Sequence, residues 1–474
     1  MEMKHFKAMD DDSNNVDVFN RLTSSLLVLI VSYLPFREAA RTCILSKQWV
    51  DVWRETTNLE FNENFFVKPE ETKENQMILR NSFIDFVRQF VAQYPQKGIQ
   101  RFALACSDPQ AFLSDIRNFV VFAISRNVRE LELDFSDPTW REDSLDSHQP
   151  AFELPLQIYQ HKRLVLLKLF SCRFDASRFT NFSTLKSVSL GWTGISVVSI
   201  KALLVNCPLI ESLSLKKCWD LEHFEISLPN LRLKNLVLDN CNFIQDWFCI
   251  EGPKLEFLKY SGRIGHFHMS NQRNMVEADL DFGMEPEFDD VGSLLYDFLQ
   301  EFYAVQILTV CSVLLQIIPQ GDEPFGLQSP LNVRHLILKA AVHFNEYFGI
   351  RFMLRSCPHL EILTFDIGPA KIFPDYAPPF RFNPHEFWSK DLRIQRCIRS
   401  SLKVVNVKGF RGTLSELYVL RYIICFGDQL RELNLYVANE EGENGENRDT
   451  YMERVELLLK FIKRHQQLHV SVFL

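Results

Sequence analysis

Apolar residues recur along most of the chain with Leu-x-x-Leu-x-Leu spacing. The pattern is carried by Ile99, Phe102 and Leu104, by Val128, Leu131 and Leu133, by Leu164, Leu167 and Leu169, and by Leu185, Val188 and Leu190. Further copies start at Ile210, Leu233, Leu255, Val333, Leu360, Leu402 and Leu430. The central steps are 21, 25, 23 and 22 residues, within the period of about 20–29 expected when each repeat gives one short strand and a return segment. Alternation with period two predicts a strand in each copy, with Leu167 and Leu169 inward and Lys168 and Phe170 outward. By the same rule Ser189, Ser214, Lys216, Val237, Asp239, Lys259, Ser261, Ile337, Lys339, Thr364 and Asp366 face outward. A single repeat cannot bury its own apolar side, so the copies are expected to stack as a curved solenoid of parallel strands with helices or loops. Its outward sheet face is the expected target-binding surface, with Lys168, Phe170, Lys216, Asp239, Lys259, Lys339 and Asp366 as candidates.

The pattern differs near the N-terminus. Leu22, Leu26, Leu27, Ile30 and Leu34 fall at helical spacing, with Ser24 or Ser25 placed to cap the helix and Pro35 to stop it. A second helix is predicted from about Arg37 to Cys43. A third follows Ser46 and carries Trp49 and Trp53 one turn apart. So small a helical module buries little surface, yet it is rich in Leu, Ile and Trp. Most of these residues are expected to form its own core and some to face a partner. The resulting division is a disordered tail at 1–16, the helical module at 17–61, a helical linker at 62–98, the repeat array at 99–397 and a terminal region at 398–474.

Composition narrows the function. Of 474 residues, 46% are apolar and 24% charged, and the net charge is −8. With no basic run, nucleic-acid binding is not expected; with no apolar stretch of 18 residues, neither is a membrane span. Eleven cysteines, none in a Cys-x-x-Cys pair, point to reduced thiols and a cytoplasmic or nuclear protein. Cys172, Cys218 and Cys241 each stand eight residues after the first apolar position of their repeat, where the side chain turns inward onto backbone groups.

Several motifs carry resemblances. Leu22, Ile30, Leu34, Pro35, Ala39, Ala40, Arg41, Leu45, Ser46, Lys47, Trp49 and Trp53 resemble an F-box, although Thr23 and Ser24 stand where that family has Pro and an acidic residue. The segments ending in Cys207-Pro208 and Cys357-Pro358, each followed by a repeat, resemble plant F-box/leucine-rich-repeat proteins. Ser401-Leu402-Lys403 through Gly409-Phe410-Arg411-Gly412 resembles the FBD region, implying a cap on the end of the array. The resemblance implies a non-catalytic, substrate-recognition subunit of an SCF-type cullin-RING ubiquitin ligase. The twelve F-box residues would bind a Skp-type adaptor, which links to the cullin, and the array would bind a target protein. The alternative is a leucine-rich-repeat interaction scaffold outside ubiquitin transfer.

No Gly-x-Gly-x-x-Gly, Walker-type or His-Glu-x-x-His motif is present, and no cofactor is expected. His266 and His268 would share a strand face but have no third ligand nearby, so no metal site is assigned. Asp279, Asp281, Asp289 and Asp290 read as a charged loop. Phe373, Tyr376, Phe380, Phe382, Phe387 and Trp388, in and beside the Pro-rich stretch 369–384, are expected to fold back over the core. A final helix is predicted from a capping box at Thr450 and Glu453 to about Arg464, and a last strand over His469 to Phe473.

Overall fold

The computed structural model describes residues 22–47, 49–68, 70–140, 145, 149–179, 182–228, 231–244, 247–270, 272–285, 291–318, 326–373, 382–390, 394–441, 445–462 and 468–474. The expected tail at 1–16, the start of the helical module, and Asp289, Asp290, Tyr376, Phe380 and Arg464 lie outside them. Two compact units divide the chain, 1–134 and 135–474.

The first unit opens with helices Ser24–Ser32 and Phe36–Arg41 and a short helix Trp49–Val52. Thr23, rather than Ser24 or Ser25, is the first N-cap: it is extended and its hydroxyl accepts from the Leu26 amide. Leu27, Val31, Ala39, Trp49 and Val52 form a sealed core. The Ser32 carbonyl then accepts from Asn58 Nδ2 at 2.6 Å, joining the helices to a strand, Asn58–Asn62.

That strand pairs in parallel with Arg101–Ala105, which pairs in turn with Glu130–Asp134. Parallel pairing in this unit therefore begins inside the span assigned to the helical module, ahead of residue 99. Residues 62–98 are a packed crossover more than a linker. Their helix Lys73–Gln93 buries Phe83, Ile84, Val87 and Phe90. Its buried Arg80 donates to Glu63 at 3.0 Å, and Ser107 also donates to Glu63. Burial pushes the Glu63 carboxyl up, but the Arg80 and Ser107 bonds win and hold it below its ordinary range. The charge pattern around 68–75 could not reveal this, because a buried ion pair and an exposed one read alike in sequence.

The main sheet of the second unit has twelve described parallel strands in chain order, from Leu166–Phe170 to His469–Phe473. Neighbours pair at equivalent repeat positions, for example Leu167 with Val188 and Leu169 with Leu190, then Leu213 with Leu236 and Leu215 with Leu238. The inward members are sealed, so a one-residue slip would put every one of them in water. The degenerate blocks after Met275 and Val305 are repeats as well. Glu277–Asp281 and Ile307–Cys311 are both strands, so Asp279 and Asp281 are strand residues and not part of a loop. Repeat length sets the return path. The 25-residue step from Leu185 has room for the helix Val197–Asn206. The 23- and 22-residue steps and the return after Leu255 pass through a small parallel sheet of Phe224–Ser227, Trp247–Glu251 and His266–Ser270. His266 and His268 both lie exposed on that sheet.

Four successive strands of the central block are each followed by a left-handed residue: Ser171, Trp192, Lys217 and Asn240, with φ of 54°, 50°, 53° and 49°. Such backbone is uncommon for residues with a Cβ. It reverses the alternation for one step, so that Cys172, Thr193, Cys218 and Cys241 turn inward. Cys241 Sγ lies 3.5 Å from the Leu215 carbonyl and Cys218 Sγ 3.7 Å from that of Leu190, each one strand back. These thiols bind one repeat to the next, as their spacing predicted.

The FBD-like stretch lengthens the sheet instead of lying across its end. Val404–Phe410 and Glu432–Val437 continue the ladder and His469–Phe473 forms its edge. Its glycines answer backbone demands. Gly409 has φ 71° and a Cβ there would lie 2.1 Å from the Ile367 carbonyl, while Gly412 has φ 67°. The last helix, Arg448–Ile462, starts ahead of Thr450 because Asn447 Oδ1 accepts from the Thr450 amide and hydroxyl. Phe373, Phe387 and Trp388 fold back and are buried. Ser261 and Thr364 are also buried despite their outward register: Ser261 donates to Asn240 Oδ1 at 2.7 Å, and Thr364 sits between His335 and Asn406.

Candidate partner-binding surfaces

The first candidate surface belongs to the N-terminal helices. Leu27 and Val31, one turn apart on Ser24–Ser32, fill the small core. The helix is apolar almost all round, so the rest of its large side chains have nowhere to go. Leu26, Leu29, Ile30, Tyr33 and Leu34 are exposed, as are Ile44 and Leu45 beyond the second helix. Tyr33 is 82% exposed and Ile44 84%. A cluster of seven such residues on so small a body is the mark of an interaction surface.

The expected adaptor residues divide accordingly. Ile30, Leu34, Pro35, Arg41, Leu45, Ser46 and Lys47 are exposed, and Leu22 and Ala40 are half-buried. Ala39 and Trp49 are sealed inside and are not available to a partner, which corrects the expectation for both. Trp53 is half-buried with its ring 5.8 Å from Phe36 and 5.6 Å from Phe90; its main work is packing. Arg41 is paired with Glu38 at 2.7 Å. Sequence reasoning did not name Leu29, Tyr33 or Ile44, and it placed Leu26 at helical spacing without assigning it to a partner face. The available signal was the lack of any polar face between Ser25 and Leu34.

The second surface is the outward face of the strands in the second unit. Its chemistry is polar and its groups hold one another. His335 Nε2 and Thr364 Oγ1 are 2.9 Å apart, Asn406 Nδ2 donates to Thr364 Oγ1 at 3.2 Å, and Asn434 Nδ2 donates to Asn406 Oδ1 at 2.9 Å. Burial, with Lys408 nearby, holds the His335 ring below its ordinary pKa, so it is neutral at pH 7. Asp279 receives Lys339 at 3.0 Å and Lys259 at 3.9 Å. The Lys168 ammonium lies 4.9 Å from the centre of the Phe170 ring. One step before the strands, charge alternates from repeat to repeat. Glu211 meets Lys186 at 4.0 Å and Lys234 at 3.4 Å, and Glu361 meets Arg334 at 3.0 Å and Lys403 at 2.7 Å.

All seven candidate target residues lie on this face and all are half-buried. Lys216 and Asp239 stand side by side in register. Lys259 and Lys339, on strands separated by two others, converge on Asp279, which sequence reasoning left out. At the C-terminal ends of four neighbouring strands the face opens into a cleft of about 360 Å³ lined by Asp281, Cys311, Ser312, Lys339, Asp366 and Lys371 among others. Burial, with Asp281 adding to it, pushes the Cys311 thiol up to about 12, so it is no nucleophile. Among the described residues no group of three His, Cys, Asp or Glu could hold a metal ion, and no helix is long and apolar enough to cross a membrane.

Two family models match the chain. That for the repeats of the FBD-associated F-box protein At5g56370 covers residues 119–278, and the FBD model covers 394–435. Similar proteins from Arabidopsis thaliana include the putative F-box/LRR-repeat protein At1g56400, 34% identical over 87% of this chain and 86% of its own length. The F-box protein At3g62230 is 32% identical over 90% and 92%. The putative F-box/LRR-repeat protein At5g54820 is 32% identical over 90% and 93%. The similarity thus runs along nearly the whole length of this chain and of these relatives. The chain belongs to the F-box/leucine-rich-repeat proteins with a C-terminal FBD region.

Proposed function

We propose that the chain is the target-recognition subunit of an SCF-type cullin-RING ubiquitin ligase, acting in the cytoplasm or nucleus. The exposed face of Leu26, Leu29, Ile30, Tyr33, Leu34, Ile44 and Leu45 carries this reading. It is apolar, it is carried by the helix Ser24–Ser32 and the turns beyond it and the second helix, and it suits a groove of a Skp-type adaptor in the manner of other helix-in-groove contacts. The adaptor would connect it to the cullin. The outward face of the repeats would hold the target. In this reading the chain supplies no reacting group. It raises the effective concentration of a target lysine near the charged carrier.

The test is capture of a purified Skp-type adaptor by the full chain. A fragment ending at residue 61 is unsuitable, because it cuts the strand Asn58–Asn62 from its partner Arg101–Ala105. Ile30→Ala with Leu34→Ala is expected to weaken capture by about 10–100-fold while leaving the thermal unfolding midpoint in place, since both side chains are exposed. Failure of the unaltered chain to retain any adaptor overturns the proposal.

A further inference from the structure

The return side of the second unit changes thickness between two neighbouring repeats. The repeat that starts at Leu185 returns through the helix Val197–Asn206, and the next, from Ile210, returns through the strand Phe224–Ser227. A helix is about 10 Å across and paired strands stand about 4.8 Å apart, so the two returns do not pack flush. Lys201 ties them together, donating to Glu225 at 2.7 Å. Where the helix ends, a slot of about 280 Å³ opens between Leu204, Val205 and Pro208 on one side and Leu228 and Leu231 on the other. The sealed side chains of Cys207 and Ile210 also line it.

The slot continues onto the helix. Val198, Ala202 and Val205 stand at i, i+4 and i+7, which is one face of an α-helix. Val198 is 74% exposed and Val205 63%, while Val197, Ile200, Leu203 and Leu204 of the same helix are buried. The stripe is about 10 Å long. Uncovered apolar area that joins a slot in this way marks an interaction site. A single charged residue, Arg232, lines the slot. It is exposed and has no hydrogen bond or ion pair among the described residues. The neighbouring cations are matched, Lys201 by Glu225 at 2.7 Å and Lys234 by Glu211 at 3.4 Å. The lining therefore carries one unanswered positive charge.

We infer that the slot and the stripe receive an amphipathic helix of a partner protein, with leucine-like side chains on its apolar face and a carboxylate beside them for Arg232. This surface lies behind the sheet and is separate from the outward face that would hold a target. An apolar cavity of about 150 Å³ takes a benzene-sized group, so this slot has room for one or two large side chains. It stands at the foot of the range for small-molecule sites, about 300–1,000 Å³, which enclose most of their ligand. A small organic acid could enter it but would leave the stripe in water. A second helix covers both, because its own apolar residues recur at the same spacing as Val198, Ala202 and Val205. The free guanidinium selects an acidic partner over a basic one.

The experiment is methyl NMR on the full chain with labelled valine and leucine, read at Val198, Val205 and Leu228. The main probe is an Ala-rich peptide of about 15 residues, long enough to hold a helix, with a stripe of Leu flanked by Glu. The others are its Gln-for-Glu counterpart, a peptide of the same composition with the leucines scattered round the helix, and octanoate. The striped Glu peptide is expected to shift all three residues saturably, and the scattered peptide is expected to leave them in place. The Gln peptide should bind about threefold to fivefold more weakly. Arg232→Gln should bring the Glu peptide to the affinity of the Gln peptide without changing the latter. Val205→Glu should weaken both at least about tenfold. Unmoved signals from the sealed Leu167 and Leu433 show that each variant is folded. Should Val205→Glu disturb the helix, Val198→Glu carries the test. No response, an equal response to the scattered peptide, indifference to Val205→Glu and Val198→Glu, equal affinity for the Glu and Gln peptides, or tighter binding of octanoate overturns the inference. Neither adaptor nor target is present, so failure here is distinct from failure of adaptor capture.

Discussion

The helical face and the sheet face are both exposed, yet they solve the problem of exposure in opposite ways. On the helices Ser24–Ser32 and Phe36–Arg41, the small body has room inside for Leu27, Val31 and Ala39 and leaves Leu29, Ile30, Tyr33 and Leu34 in water. On the sheet, alternation sends most large aliphatic residues inward and leaves His335, Thr364, Asn406 and Asn434 to bond one another. The first face is a stock of uncovered apolar area that a partner must cover. The second already satisfies its polar groups over much of its extent. A family of receptors with one common adaptor and many targets would separate its surfaces in this way.

The sharpest way to break the contrast is to empty the helical core without touching its outer face. Leu27→Ala removes a sealed side chain and should cost about 2–5 kcal/mol. Hydrogen exchange of the Ser24–Ser32 amides would show it as a large loss of protection, and adaptor capture would fall with it. Leu29→Ala, on the exposed side, should leave that protection unchanged.

A second test concerns the price of burying a carboxyl behind the sheet. Glu346 is fully buried, and burial pushes its pKa up to about 7 although Ser312 and the amides of His343 and Ala341 donate to it. Below pH 4.5 the group is protonated in both the folded and unfolded chain and contributes no difference. As pH rises from 4.5 to about 7 the unfolded chain releases its proton first, so stability falls across that window and is flat above it. The loss is roughly 3 kcal/mol at one pKa unit per 1.36 kcal/mol. Glu346→Gln, which cannot titrate, should reduce the slope of unfolding free energy against pH in that range. An unchanged slope would place the proton elsewhere.

The smallest effect belongs to the outer charges. Asp279→Asn removes the shared partner of Lys259 and Lys339, yet all three groups are partly solvated. The expected loss is under about 1 kcal/mol and shrinks with added salt, as measured by thermal unfolding at low and high ionic strength. A larger loss would mean that the sheet face is held by its charges, and the contrast with the helices would need redrawing.

Much of this was legible in the residues. Each of the eleven apolar triplets from Ile99 to Leu435 has become a strand, because a period-two pattern with one sealed face admits one register. The Cys172, Cys218 and Cys241 spacing foretold inward thiols. The repeats at Glu277 and Ile307 were harder to see. Met275 and Ala278 stand where most repeats have Leu or Val, and Val305, Leu308 and Val310 fill the three apolar positions without a leucine at the ends. Within the candidate surfaces, the sequence named Ile30 and Leu34 but could not tell them from Ala39 and Trp49. All four are apolar and at helical spacing, and which side is inside depends on where the third helix packs.

What the amino-acid order determined by itself is therefore periodic and local: strand positions, inward rows, helix ends and the F-box, repeat and FBD motifs. The tertiary structure decided what faces what. It drew Lys259 and Lys339 to one aspartate, moved the start of parallel pairing back to Asn58, left Leu29 and Tyr33 uncovered, and set a helix beside a strand so that a slot stays open at Val205. These outcomes depend on contacts between residues far apart in the chain, 60 positions in the case of Lys339 and Asp279, and no local pattern encodes a distance in space.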